Sequence, residues 1–203
     1  MDRHAHWQDV YRTKPETEVS WFQERPESSL ELIQRTGVGH TAAIIDIGGG
    51  ASRLVDHLLD QGFTRLTVLD IAEAALTRAQ ERLGERAGRV SWVAADVTQW
   101  KPGATFDLWH DRAVFHFLTD AADRRTYADT MAAALPAGGQ AIVGTFAADG
   151  PEKCSGLPVC RYAAEALAAE FAPQFHLLGT LTEDHLTPAG KVQKFQFCRM
   201  IRT

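Results

Sequence analysis

The sequence lacks most of the features that would mark a secreted, membrane or nucleic-acid-binding protein. Cysteine occurs three times in 203 residues, as Cys154, Cys160 and Cys198. An odd number without zinc-type spacing argues against a disulfide framework and against a metal site, and favours a reducing, cytoplasmic compartment. No apolar run approaches the roughly 20 residues that span a bilayer. The N-terminal stretch Met-Asp-Arg-His-Ala-His-Trp has no signal-peptide core. Basic residues are in the minority, with 21 Lys and Arg against 26 Asp and Glu and a formal net charge of −5. The basic stripe of a duplex-binding protein is missing, so nucleic acid is not an expected partner. Repeats and low-complexity tracts are missing too. What remains is a chain that is 45% hydrophobic, which suits one α/β domain with a full core.

The first 25 residues are polar but carry Trp7, Tyr11, Trp21 and Phe22, too many aromatics for a disordered tail. With a short amphipathic helix at 27–36, they are expected to form a helical cap or lid over residues 1–36. From residue 40 onward, strands and helices alternate. Strands are expected at 42–47, 65–69, 90–94, 106–109 and 140–146. Helices are expected at 52–61, 72–83, 124–135 and 163–170. Alternation of this kind gives βαβ units and a parallel sheet. The last two strands, 175–182 and 192–201, are separated by the turn Thr187-Pro188-Ala189-Gly190, so they must pair antiparallel. The expected fold is therefore a Rossmann-like, seven-stranded, mostly parallel sheet with a C-terminal antiparallel hairpin and helices on both faces.

Three acids end three successive strands. The first strand runs into Asp46-Ile47-Gly48-Gly49-Gly50 and then a helix. Gly48 and Gly50 permit positive φ, and the free N–H groups of the helix can meet an anion. Asp46 before the glycines disfavours a pyrophosphate and suits a cationic amino acid or sulfonium. Asp70 ends the second strand, 24 positions on (70 − 46). It either accepts both hydroxyls of a ribose or caps the helix that follows. Asp96 ends the third strand. It either accepts the amino group of an adenine, with the Val97 N–H on a ring nitrogen, or is a turn aspartate.

With these residues in place, the chain resembles the class I S-adenosylmethionine-dependent methyltransferases over roughly residues 40–146. Ser52 stands where the common pattern has a third glycine. The resemblance implies S-adenosyl-L-methionine as cofactor. It assigns Asp46, Gly48 and Gly50 to the methionine moiety, Asp70 to the ribose, Asp96 with Val97 to adenine, and Ile71 to packing against the adenine or the ribose. It also makes residues 40–203 the catalytic core of a single methyltransferase domain spanning 1–203. In the family the end of the fourth strand lies under the sulfonium and faces the acceptor. His110 is therefore assigned to cofactor and catalysis and Asp111 to catalysis, with Arg112 and Phe115 facing the acceptor. His116 is either a general base that also contacts substrate or an ordinary helix histidine. Arg112 either binds an acidic substrate group or pairs with a neighbouring acid. Trp21 is expected near the sulfonium, as an aromatic face attracts a cation. Asp149 lies in a long Gly- and Pro-containing loop after the fifth strand, expected to act as a lid near the acceptor.

The missing Asn/Asp-Pro-Pro-Tyr motif argues against adenine or glutamine N-methylation. The segment around Trp7, Tyr11 and Trp21 is similar to the thiopurine, thiol and tellurite-resistance branch, which implies a small-molecule acceptor such as a thiol. It also resembles protein-lysine methyltransferases, which keeps a lysine acceptor open. A non-catalytic nucleotide-binding module is the reading from a different class. The protein is expected to be a monomer or homodimer.

Overall fold

A computed structural model describes residues 2–203. In chain order its elements are α1 (Arg3–Thr13), α2 (Glu27–Thr36), β1 (Ala43–Ile47), α3 (Leu54–Asp60), β2 (Arg65–Asp70), α4 (Glu73–Leu83), β3 (Val90–Ala94), β4 (Leu108–Arg112), α5 (Ala121–Ala134), β5 (Gln140–Phe146), the short pair β6 (Lys153–Cys154) and β7 (Leu157–Pro158), α6 (Ala164–Ala169), β8 (Phe175–Leu186) and β9 (Val192–Arg202). Seven strands form one sheet in the order β3-β2-β1-β4-β5-β9-β8. The first five strands of that order run parallel, and β9 pairs antiparallel with both β5 and β8. This is the expected sheet with its terminal hairpin.

β1 reads Ala-Ile-Ile-Asp-Ile and is buried on both faces, as a central parallel strand must be. Alternate residues feed two core layers. Ala43, Ile45, Ile47 and Trp109 pack with Tyr127, Met131 and Phe171 on one face, while Ile44, Leu108 and Ile142 pack with Leu32, Ile33, Leu54 and Leu58 on the other. α2 ends at Gly37, which takes φ +72° and closes the helix in the left-handed conformation.

The fourth strand differs from expectation. Asp107 still belongs to the approach, its N–H bonded to Ala43 O and its carboxylate accepting the Ala43 N–H at 2.7 Å. The ladder to β1 opens at Ile44↔Leu108 and runs through Ile47↔Asp111. His110, Asp111 and Arg112 therefore lie in the strand, not in the loop after it. Their side chains alternate between the two faces.

The N-terminal segment does cover the core. α1 lies along α4, with the Gln8 side chain accepting the Ala74 N–H at 2.8 Å. Glu16 bridges two arginines of the core, Arg53 and Arg82, each at 2.9 Å. Farther along, the His185 Nε2 to Ser20 O contact (2.7 Å) and a Gln23 to Glu183 hydrogen bond tie the segment to β8. The cap thus spans from the α4 side of the sheet to the terminal hairpin. The loop after β5 forms the small β6–β7 hairpin.

Candidate active site

The turn after β1 sits where the three parallel strands β1, β2 and β4 end. Gly48 has φ +67°, and its N–H donates to Leu69 O at 2.6 Å, clasping the turn to β2. A Cβ on Gly48 would lie 2.1 Å from Val114 Cγ2, and one on Gly50 would lie 2.4 Å from Asp70 Oδ2. The glycines are therefore demanded by close packing of the turn against its own neighbours, besides leaving backbone open to a ligand.

Above this turn lies a cavity. Its floor is Ile47, Gly48, Leu69, Asp70 and Ile71, and Ala95, Asp96 and Val97 extend it to the end of β3. A second hollow adjoins it across Gly48, Tyr11, Trp21 and Arg112, and is lined by Asp46, Gly49, Ser52 and His110. The roof is aromatic. Trp7 meets Trp21 edge-on at 5.6 Å and Phe117 at 5.0 Å, and Tyr11 meets Trp21 at 6.1 Å. Aromatic edge-to-face clusters are stiff and exclude water. The far wall is Cys154, Phe195 and Arg112.

Asp70 is buried. Its Oδ1 accepts the Ala72 N–H at 2.8 Å. Burial pushes its carboxyl up to about 7, against the pull of the Ala72, Gly50 and Ile71 N–H groups, and the charge of Asp46 adds to the rise. One oxygen holds the turn into α4, and the residue also lines the cavity floor. Asp96 is used in the same divided way. Its Oδ1 accepts from both the N–H and the hydroxyl of Thr98, closing a turn, and the residue also lines the cavity.

His110 is buried between two partners, Asp46 Oδ1 at 2.7 Å and Ser29 Oγ at 2.9 Å. Both ring nitrogens are thereby occupied, and the Asp46 carboxylate is fixed beside the glycine turn.

The structure separates the other assigned residues from the cavity. Asp111 points to the opposite sheet face from His110 and Arg112, as a strand's period of two requires. It is fully buried, accepts the Val114 N–H at 2.7 Å and the Phe115 N–H at 3.0 Å, and accepts the Tyr127 hydroxyl. Burial raises its carboxyl to about 6. It holds the turn after β4, where Ala113 takes φ +75°, and its expected catalytic contact is not supported. Phe115 is buried among Tyr127, Tyr162 and Phe171, away from any acceptor. His116 is also fully buried and lines neither cavity; its Nδ1 accepts the Phe146 N–H at 3.3 Å. Burial, and the positive charge of Arg112, push its pKa down to about 3, so it is a neutral core histidine at working pH. Asp149 is exposed and paired with Lys194 at 2.6 Å, so the lid loop does not bring it to the cavity. Cys154 does reach the cavity, but burial raises its thiol to about 11. Among the described residues no cluster of His, Cys, Asp or Glu is arranged to hold a metal, and no helix is long and apolar enough to cross a membrane.

Two wall residues, Phe195 and Phe117, and the Arg112 neighbour Glu183 had no sequence signal. Phe195 and Glu183 come from the terminal hairpin, whose distance in sequence hid them. Phe117 follows the β4 turn and looked like a core aromatic.

Residues 44–139 match the family model described as a methyltransferase domain. Over those residues the chain is similar to a methyltransferase domain. Among curated relatives, nodulation protein S of Rhizobium tropici is 29% identical over 122 residues, covering 60% of this chain and 50% of that protein. The mouse eEF1A lysine and N-terminal methyltransferase is 28% identical over 119 residues, covering 57% of this chain and 16% of that protein. The chain thus spans about half the length, or less, of these relatives. The crystal structure of the N-methyltransferase NodS from Bradyrhizobium japonicum WM9, in complex with S-adenosyl-L-homocysteine, superposes with a TM-score of 0.75 at 20% identity, covering 99% of each chain. That likeness extends over the N-terminal cap and the terminal hairpin. That structure holds S-adenosyl-L-homocysteine; in this chain a buried carboxylate, an acid-led glycine turn and a largely apolar cavity meet at the carboxyl ends of β1, β2 and β4.

Proposed function

We propose that this chain transfers a methyl group from S-adenosylmethionine to a small-molecule acceptor, at a nitrogen or a thiol sulfur. The observation that carries the reading is the roofed cavity running from Asp70 at the end of β2 to Arg112 at the end of β4. Asp70 binds the ribose hydroxyls, Ile71 packs beside them, and Asp96 with the Val97 N–H meets the adenine. Gly48 and Gly50 let the backbone approach the ligand, and the Asp46–His110 pair, next to Ser29, lies beside the methionine moiety. Trp21 and Trp7 close over the site and exclude water. The cofactor supplies an activated methyl: the acceptor lone pair forms the new bond, the carbon–sulfur bond breaks, and its electrons stay on sulfur as the thioether product.

Positioning and dehydration are the protein's main contributions to such a step. Among the described residues that line the two cavities, the only histidine is His110, and both its nitrogens are bonded. The acceptor therefore arrives already deprotonated, and its proton is lost to solvent. Cap and core work as one domain in this reading.

Likeness to a lysine methyltransferase supports a second reading, a protein lysine acceptor. It is the weaker, because an extended polypeptide needs an open groove, whereas α1 and Trp21 roof this cavity. Calorimetry with S-adenosylmethionine, S-adenosylhomocysteine and NAD tests the cofactor. Binding of both adenosyl ligands and not NAD is expected; binding of NAD alone would sink the proposal and leave a nucleotide-binding module. A labelled-methyl screen of amines, thiols and protein extract then separates the two acceptor classes.

A further inference from the structure

Arg112 is the last residue of β4 and touches both hollows of the site. Its guanidinium lies over the Phe195 ring at 4.5 Å, and Nη1 donates to Trp21 O at 3.1 Å. The other two nitrogens, Nε and Nη2, are buried and have no hydrogen-bond partner. They share one edge of the planar group, the edge that takes both oxygens of a carboxylate side by side. The nearest acid is Glu183, whose Oε1 stands 3.8 Å from Nη2 and already accepts from Gln23, while its Oε2 has no partner. The Arg112–Glu183 pair is thus left ajar. An unfilled two-donor edge of a buried cation is rare in a finished structure, because buried charges are normally paired and hydrogen-bonded.

We propose that this edge of Arg112 binds a carboxylate, and that the methyl acceptor is an organic acid: an amine or thiol that also carries a carboxylate. The inference rests on the methyltransferase reading above. Phe195 and Cys154 line the larger cavity with Arg112 and do not line the hollow beside Asp46. The stacked guanidinium therefore lies beside the Phe195 and Cys154 wall of the larger cavity. The same chemistry exists on the cofactor, in the carboxylate of its methionine part, and the test must tell the two apart.

Matched aromatic probes suit a cavity walled by Trp7, Trp21 and Phe195. Anthranilate is compared with aniline, and thiosalicylate with thiophenol, by calorimetry on the S-adenosylhomocysteine complex. The acidic member of each pair should bind at least tenfold tighter, the scale of one charge-assisted pair. Arg112→Met should erase that difference, and Arg112→Lys should keep part of it. Equal binding of acid and neutral probes by the native protein would overturn the proposal. If Arg112→Met folds poorly, Glu183→Gln gives an independent answer. Removing the competing anion should tighten the acid probes several-fold and leave the neutral ones unchanged; unchanged acid binding would count against the proposal. A cofactor arm compares S-adenosylhomocysteine with methylthioadenosine, which lacks the methionine carboxylate. If Arg112→Met weakens only the former and leaves the acid preference intact, the edge belongs to the cofactor and the acceptor assignment falls. If S-adenosylhomocysteine fails to bind the native protein at all, the methyltransferase reading itself fails.

Discussion

At the scale of single residues, Asp70 and Asp111 show how burial divides similar groups into different tasks. Both are buried carboxylates whose proton affinity is raised, Asp70 to about 7 and Asp111 to about 6. Asp70 faces the cavity. In the proposed site the ribose hydroxyls donate to the ionised form, so cofactor binding would drive off its proton. The affinity for S-adenosylhomocysteine should hold near pH 8 and fall below pH 7, approaching tenfold per unit. Asp70→Asn should bind at least tenfold more weakly at pH 8 and lose that pH dependence. A dissociation constant independent of pH in the native protein would remove Asp70 from the ribose site. Without ligand the sign reverses: a raised folded pKa means the group favours folding most below its unfolded value near 4, and that contribution is lost as pH rises through 7. Asp111, by contrast, serves two backbone N–H groups and the Tyr127 hydroxyl. Asp111→Ala orphans them and should cost about 3 kcal/mol or more, which lowers the melting temperature by about 6–12 °C for a chain of this size. An unchanged melting curve would contradict that role. His116, held neutral far below working pH, predicts something about rate. The pH profile of kcat/KM should follow the ionisation of the acceptor and of Asp70, and His116→Gln should leave its shape unaltered. Loss of an ionisation near neutrality in that variant would restore His116 as a base.

At the scale of elements, Asp46, Asp70 and Asp96 were readable because each lies at or within two residues of the end of a strand, so sequence position and spatial position coincide. The end of β4 was not. Phe106 and Asp107 look like strand residues, but Asp107 turns its carboxylate back to the Ala43 N–H, and the ladder starts one residue later. With that start misplaced, His110, Asp111 and Arg112 read as neighbours in a loop that share a pocket. In a strand, successive residues face opposite ways, and Asp111 is sent to Tyr127 while His110 and Arg112 stay at the site. Phe195 and Glu183 were invisible for another reason: hairpin strands pair across sequence, and nothing local marks which residues face a distant cavity. The cap was legible in its aromatics but not in its attachment, which depends on Glu16, a residue with no motif around it, meeting Arg53 and Arg82. Removing residues 2–13 takes away Trp7 and Tyr11 and with them the roof. The remaining chain should still melt cooperatively, because the sheet and both core layers are intact, but it should bind S-adenosylhomocysteine at least tenfold more weakly. Undiminished binding by the shortened chain would mean that α1 does not cover the ligand.

At the scale of the whole molecule, the cap joins two parts of the protein that are otherwise far apart in the sheet order. Gln8, Glu16 and Lys14 hold it to α4 and its neighbours, while Ser20 and Gln23 are held by His185 and Glu183 of β8. A ligand in the cavity touches the ends of β1, β2 and β3 below and α1 and Trp21 above, so it bridges the same two bodies that the cap bridges. Binding should therefore stabilise the molecule as a unit and tighten the cap most. At a concentration 100 times its dissociation constant, S-adenosylhomocysteine adds about 2.7 kcal/mol to stability by mass action, a rise of about 5–11 °C in Tm for a chain of this length. Hydrogen exchange should slow first in α1 and in residues 19–23, where the unliganded segment rests on few buried apolar side chains. Exchange that slows only in the sheet, with α1 unchanged, would mean that the donor binds beneath an indifferent cap; the aromatic roof would then be a fixed wall of the cavity and not a part of the protein that closes on its ligand.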